Sequence, residues 1–191
     1  MHRPPIARLA LTAALAFAAT GAQAVEYGKL DTAASTIGFR FSQMGVTLDG
    51  SFKQFSAQLR FDPARPEAAS TTVEVPLAGI DTGSAEGNDE VKTKPWFNTA
   101  QHPVARFVSA SVKPLGANRY EVAGELSIKG KRREVRFPAT FTPGPSAARF
   151  EGTLPLNRTD FGIGEGEWSA GDIVAHKVEV VFTLVATPLA P

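Results

Sequence analysis

Apolar residues recur at every second position in eight or nine successive stretches of this chain. Ile37, Phe39 and Phe41 alternate with Gly38, Arg40 and Ser42, and Val46, Leu48, Gly50 and Phe52 repeat the pattern. Phe55, Ala57, Leu59 and Phe61 follow in shifted phase, which predicts a bulge or bend near Lys53-Gln54. Further stretches run over Val73–Leu77, Val104–Val112, Val122–Ile128, Val135–Phe141, Phe150–Leu156 and Val174–Leu184. A period of two puts alternate side chains on opposite faces of a strand, so each stretch reads as a half-buried strand. Most lie about ten residues apart and are joined by Gly, Pro and Asn turns, the spacing of an antiparallel barrel or sandwich. Only residues 84–100, SAEGNDEVKTKPWFNTA, look partly helical; they form the longest connection, and Pro95 should end or kink any helix there.

The first 24 residues break the β pattern. Arg3 and Arg8 form a short basic region, Leu9–Ala19 is an apolar run, and Ala22-Gln23-Ala24 offers a small-x-small cleavage site. The run is too short to span a bilayer, which takes roughly 20 apolar residues. Residues 1–24 therefore read as a cleavable signal peptide and residues 25–191 as one domain. The expected location is the periplasm, with full secretion as the alternative. The leader holds two of the 20 basic residues and none of the 19 acidic ones, so the remainder carries 18 against 19. A nucleic-acid binder shows a clear basic excess, and this chain does not. The chain has no cysteine, which excludes disulfides and thiolate metal sites.

Residues 124–138, GELSIKGKRREVRFP, gather Lys129, Lys131, Arg132, Arg133 and Arg136 around Gly130. Leu126 and Ile128 lead in and Val135 and Phe137 lead out, so the segment reads as a hairpin with a solvated basic tip. Such charges also discourage edge-to-edge aggregation, and they offer weak, transient attraction to membrane phosphates. Catalytic machinery is sparse. His102, beside Pro103, reads as structural, and no nucleophile-elbow or metal-spacing pattern appears. Glu86, Asp89 and Glu90 read as a solvated helix face. FGIGEGEW at 161–168 lies between two strands and reads as a flexible hairpin rather than a phosphate loop. No catalysis, cofactor or metal is expected.

Many phenylalanines share the inward parity of their strands, and Gly50, Gly124, Ala139 and Gly152 on that parity leave room inside. An eight-stranded barrel either fills its lumen with side chains or holds one small ligand. The small residues favour a cavity.

The stretches YGKLDTAASTIGF (27–39), LDGSFKQFSAQLRFD (48–62), WFNTAQHPVARFVS (96–109), YEVAGELSIKGKRREV (120–135) and RTDFGIG (158–164) together resemble the YceI-like family of periplasmic proteins. The resemblance runs from Tyr27 to about Ala186. It implies an all-β, elongated, eight-stranded antiparallel barrel of lipocalin-like shape, with one short helical segment in a long loop. It also implies a lumen that takes the tail of an isoprenoid lipid, a quinone or a polyprenyl phosphate, for sequestration, transport or storage. Histidines common in the family near Gln43 and Val91 are absent here, which leaves the headgroup open. The expected lining is Phe39, Phe41, Phe52, Phe107, Leu126 and Phe137, with Phe141, Leu154, Val180 and Phe182. Trp96, Phe97, Phe161 and Ile163 are expected near a mouth. Arg158 shares parity with Leu154 and Leu156, and His176 with Val174 and Val178. Both are candidates for a headgroup, Arg158 equally for anchoring the FGIG loop through backbone carbonyls. The other reading of the chain is a stress-response or interaction protein with a filled barrel and no lipid. A monomer and a homodimer are both open.

Overall fold

The computed structural model describes residues 25–189. The expected signal peptide lies outside the described residues.

Among the described residues, eleven strands form one antiparallel sheet. They are β1 (Tyr27–Leu30), β2 (Thr36–Gln43), β3 (Val46–Phe52), β4 (Ser56–Arg60), β5 (Ser70–Pro76) and β6 (Ile80–Asp81), then β7 (Val104–Gly116), β8 (Arg119–Ile128), β9 (Lys131–Thr142), β10 (Ala148–Asn157) and β11 (Lys177–Pro188). Three pairs are bent halves of single staves. β1 and β2 lie end to end along one edge of β11. β3 and β4 are parted by the bend at residues 53–55, and β5 and β6 by a single 3₁₀ turn at Leu77–Gly79.

Counted this way there are eight staves, each paired with the next. The β1–β2 stave pairs with β3–β4 through the β2–β3 ladder and the Tyr27–Phe61 bridge. The β3–β4 stave pairs with β5–β6 at both ends. β5 then pairs with β7, and the meander runs through β8, β9 and β10 to β11. β11 pairs back onto β1 and β2, which closes the barrel. Closure removes the free strand edges that would otherwise template aggregation.

One end is plugged. Tyr27, Phe61, Tyr120, Phe141 and Phe150 meet with ring centroids 4.9–6.5 Å apart. Leu59, Val112, Ala148 and Ala186 complete this buried cluster. Phe141 therefore belongs to the plug and not to a lumen wall. Parity places a side chain inside the barrel but says nothing about its height along the axis.

The other end carries the loops. The short helix α1 (Ala85–Glu90) is capped by the Ser84 hydroxyl, which accepts from the Gly87 N–H. α1 ends well before Pro95. The β8–β9 turn is a tight two-residue one, with Lys129 and Gly130 at φ 49° and 72°. Both values are positive, as a type I′ turn requires. The tip is only partly solvated. The Lys129 side chain is 9% exposed, and its ammonium donates to Pro95 O, to Gly162 O and to Glu165 Oε2 at 3.1 Å. It staples the two mouth loops together, and it holds the Glu165 carboxyl below its ordinary pKa. Arg132 and Arg136 stay on the outer face, near Glu125 and Glu121.

The β9–β10 ladder stops at the Ala139–Gly152 pair. The next residue of β9, Pro138, has no N–H to give. Beyond that point Phe161 and Ile163 pack in one cluster with Phe137 and Leu154. Phe161 is thus 2% exposed and seals the seam instead of lining the lumen.

Candidate functional site

The inward faces of the staves enclose two adjoining spaces. The one at the loop end has a volume of about 700 Å³. A deeper one of about 180 Å³ lies between it and the aromatic plug. Phe52, Ala105, Ile128 and Val180 line both, so they form a throat. The result is a blind apolar tunnel.

Phe39, Phe41, Trp96, Phe97 and Ile163 line the outer space. Phe107, Leu126, Phe137, Leu154 and Phe182 line the inner one. Phe39, Phe41, Phe52, Phe107 and Phe182 are only half-buried although they point inward, whereas Phe61 and Phe141 in the plug are buried. Inward rings that retain accessible surface mark a lumen that side chains do not fill.

The glycines keep that space open indirectly. Gly50 is the ladder partner of Phe39, and Gly152 of Phe182. A Cβ built on Gly50 would lie 2.2 Å from Phe39 Cζ, and one on Gly152 would lie 2.5 Å from Phe182 Cζ. At Gly124 the Phe107 ring would be 2.7 Å away. The room expected at these glycines is therefore occupied by phenylalanine rings, which lie flat against the wall. Because the rings rest on glycine, they stay out of the axis.

Arg158 is 1% exposed, and every one of its N–H groups is already used. Nε donates to Ala175 O at 3.1 Å. Nη1 donates to Ile163 O at 2.7 Å and to Gly164 O at 3.0 Å. Nη2 donates to Val174 O at 2.7 Å and to Trp168 O. A guanidinium has five donors, so none is left for a ligand. Of its two expected roles, the geometry gives Arg158 the loop anchor and removes the headgroup donor. Burial lowers its pKa from the ordinary arginine value, yet an arginine remains charged at neutral pH. A Cβ on Gly164 would meet Arg158 Nη1, so that position must be glycine. The FGIGEGEW segment is thus pinned by Arg158 and Lys129 and is not a flexible hairpin.

His176 is exposed and does not reach the lumen. Its Nε2 lies 2.9 Å from Ser169 O, outside the mouth. The parity that pointed it inward fails because β11 begins one residue later, at Lys177.

Trp96 packs against Trp168 with ring centroids 5.4 Å apart and the rings tilted by 57°, and the Arg158 guanidinium sits 5.4 Å over the Trp96 ring. The Trp96 N–H is the one buried side-chain polar atom without a hydrogen-bond partner among the described residues. The remaining polar lining of the mouth is Gln43, Asp49, Thr82, Ser84, Glu86 and Glu90. Sequence reasoning did not single out these residues for a site. Among the described residues no cluster of three or more His, Cys, Asp or Glu is placed to hold a metal.

Residues 29–186 match the YceI-like domain. A UPF0312 protein of Pseudomonas putida is 33% identical over 172 residues, covering 85% of this chain and 88% of its own. BcnA of Burkholderia cenocepacia superposes with a TM-score of 0.81 at 41% identity, covering 83% of this chain and 100% of its own. A polyisoprenoid binding domain from Saccharophagus degradans shares the fold, with a TM-score of 0.64 at 16% identity over 87% of this chain and 99% of its own.

Proposed function

We propose that this chain, which belongs to the YceI-like family, is a non-catalytic periplasmic carrier that encloses the tail of an isoprenoid lipid. The observation that carries this reading is the blind apolar tunnel: a space of about 700 Å³ at the mouth leading past Phe52, Ala105, Ile128 and Val180 to an inner end of about 180 Å³. A filled barrel would leave no such volume. A branched, unsaturated hydrocarbon chain suits walls made of aromatic faces and aliphatic side chains. The Saccharophagus degradans protein described as a polyisoprenoid binding domain has this same fold, which supports the ligand class.

An uncharged headgroup fits the rim best. Among the described residues, Arg158 is the only cationic one lining the mouth, and its donors are spent. Glu86 and Glu90 lie on the same rim and repel a phosphate. A prenyl quinone therefore suits the site better than a polyprenyl phosphate.

Burying about 400 Å² of tail is worth roughly 10 kcal/mol before ordering costs, at about 25 cal/mol per Å². Each hydrogen bond to a headgroup nets only about 1 kcal/mol. Affinity should follow tail length until the tunnel is full and then level off. Titration of short-, medium- and long-tailed prenyl quinones by intrinsic tryptophan fluorescence checks this. Equal affinity for all lengths would contradict a tail-binding tunnel.

A further inference from the structure

The apolar wall of the mouth continues past the rim. On β3 the inward parity runs from Phe52 through Leu48 to Val46, and the β2–β3 turn then presents Met44. Phe52 and Leu48 line the outer space, while Val46 and Met44 lie beyond it. Met44 is 77% exposed, Val46 59%, Ile173 39% and Leu48 36%. Ile173 belongs to the same patch, because its carbonyl accepts from the Met44 N–H at 2.8 Å. Val174, next in the chain, bridges to Gln43 and also lines the mouth.

Scattered exposed hydrophobes are ordinary, but contiguous ones joined to a cavity call for a partner. The tip projects into open space: Met44 and Gly45 take φ 50° and 80° in a two-residue turn, and a Cβ on Gly45 would meet nothing within 4 Å. It is also free of charge from Ser42 to Leu48. The nearest carboxylate along β3, Asp49, is paired with Arg40 at 3.1 Å. Its partner is therefore hydrocarbon and not an ionic surface. A narrow convex tip is also too small for a stable protein interface, which buries about 1,200 Å² or more.

We propose that the β2–β3 tip inserts into a lipid bilayer, and that the strip Met44–Val46–Leu48–Phe52 is the path along which a tail passes between bilayer and lumen. This inference rests on the lipid-carrier reading. It moves the membrane contact from the basic β8–β9 hairpin to the opposite, apolar one.

The test uses phosphatidylcholine vesicles and the Met44→Asp/Val46→Asp variant. Ligand-free wild type should co-sediment with the vesicles, and about 0.5 M NaCl should not release it, since apolar insertion is not screened. Transfer of a prenyl quinone between vesicles should slow by at least about tenfold in the variant, with its equilibrium affinity in solution unchanged. Wild-type transfer rates in the variant would overturn the proposal. So would release by salt, loss of equilibrium affinity in the variant, or a wild-type dimer that the variant disperses. A protein that co-sediments but binds no prenyl quinone at equilibrium overturns the carrier reading, and with it the tail path, while leaving the tip as a membrane contact.

Discussion

Arg158→Met is expected to cost at least about 3 kcal/mol of stability and to release the loop from Phe161 to Ala175. The guanidinium satisfies five carbonyls spread over residues 163–175. A buried acceptor left without its donor costs about 1–3 kcal/mol, and partial relaxation into water keeps the total below the sum. Methionine fills much of the same volume, so the loss reports the hydrogen bonds rather than a cavity. Arg158→Lys should recover little, because an ammonium is a point donor and cannot reach carbonyls fanned around a planar fork. Urea unfolding gives the stability, and near-ultraviolet circular dichroism reports the tilted Trp96–Trp168 pair that the loop supports. A lysine variant as stable as wild type would show that charge alone suffices, which contradicts the anchor.

Gly50→Ala should abolish binding of long tails out of proportion to the single methyl added. Its Cβ would lie 2.2, 2.5 and 2.7 Å from three atoms of the Phe39 ring. The ring must swing off the wall and into the lumen, beside Phe52, whose centroid is 5.2 Å away and which forms part of the throat. A loss of at least about thirtyfold in affinity for long-tailed quinones is expected, near 2 kcal/mol. Overpacking should cost a further 1–3 kcal/mol or so in stability. The double variant Gly50→Ala/Phe39→Leu should regain most of the binding, because leucine carries no ring over residue 50. Fluorescence titration of the two single variants and the double one completes the cycle. Unchanged affinity in Gly50→Ala would take the throat off the path of the tail.

Period-two alternation was enough to read eight or nine strands of an antiparallel barrel or sandwich and the bend near Lys53-Gln54, because burial on one face imposes it locally; the choice of an eight-stranded barrel came from the family resemblance. The halving of staves was not legible. β1 is four residues long and β6 only two, and both are held by partners distant in sequence. Leu77, read as the end of a strand, instead begins a 3₁₀ turn after Pro76. Site residues were legible where a strand carried them through the middle of the barrel, as for Phe39, Phe107, Leu126 and Val180. Parity misled where it was extended past a strand end. His176 lies one residue before β11 starts at Lys177 and does not obey it, whereas Arg158, just past the end of β10, still points inward. The loop anchor was one of the two roles open to Arg158 from the sequence, and the choice between them lay in carbonyls up to 17 residues away, which no local pattern displays. Glycines on the inward parity marked open space, but only the register shows that Phe39 and Phe182 already lie over them. Val46 was read only as the start of a strand and Met44 was not singled out, since a period of two does not tell where the barrel ends and solvent begins.

The central claim is that the tunnel holds an isoprenoid tail. The most direct measurement is solvent extraction of the full protein, purified without detergent from its native cells, followed by mass spectrometry of the released lipid. The account predicts one dominant isoprenoid species with an uncharged headgroup, in an amount close to that of the protein, and its depletion from Gly50→Ala. Lipid-free wild-type protein, or a mixture of straight-chain fatty acids in the same amount, would contradict it.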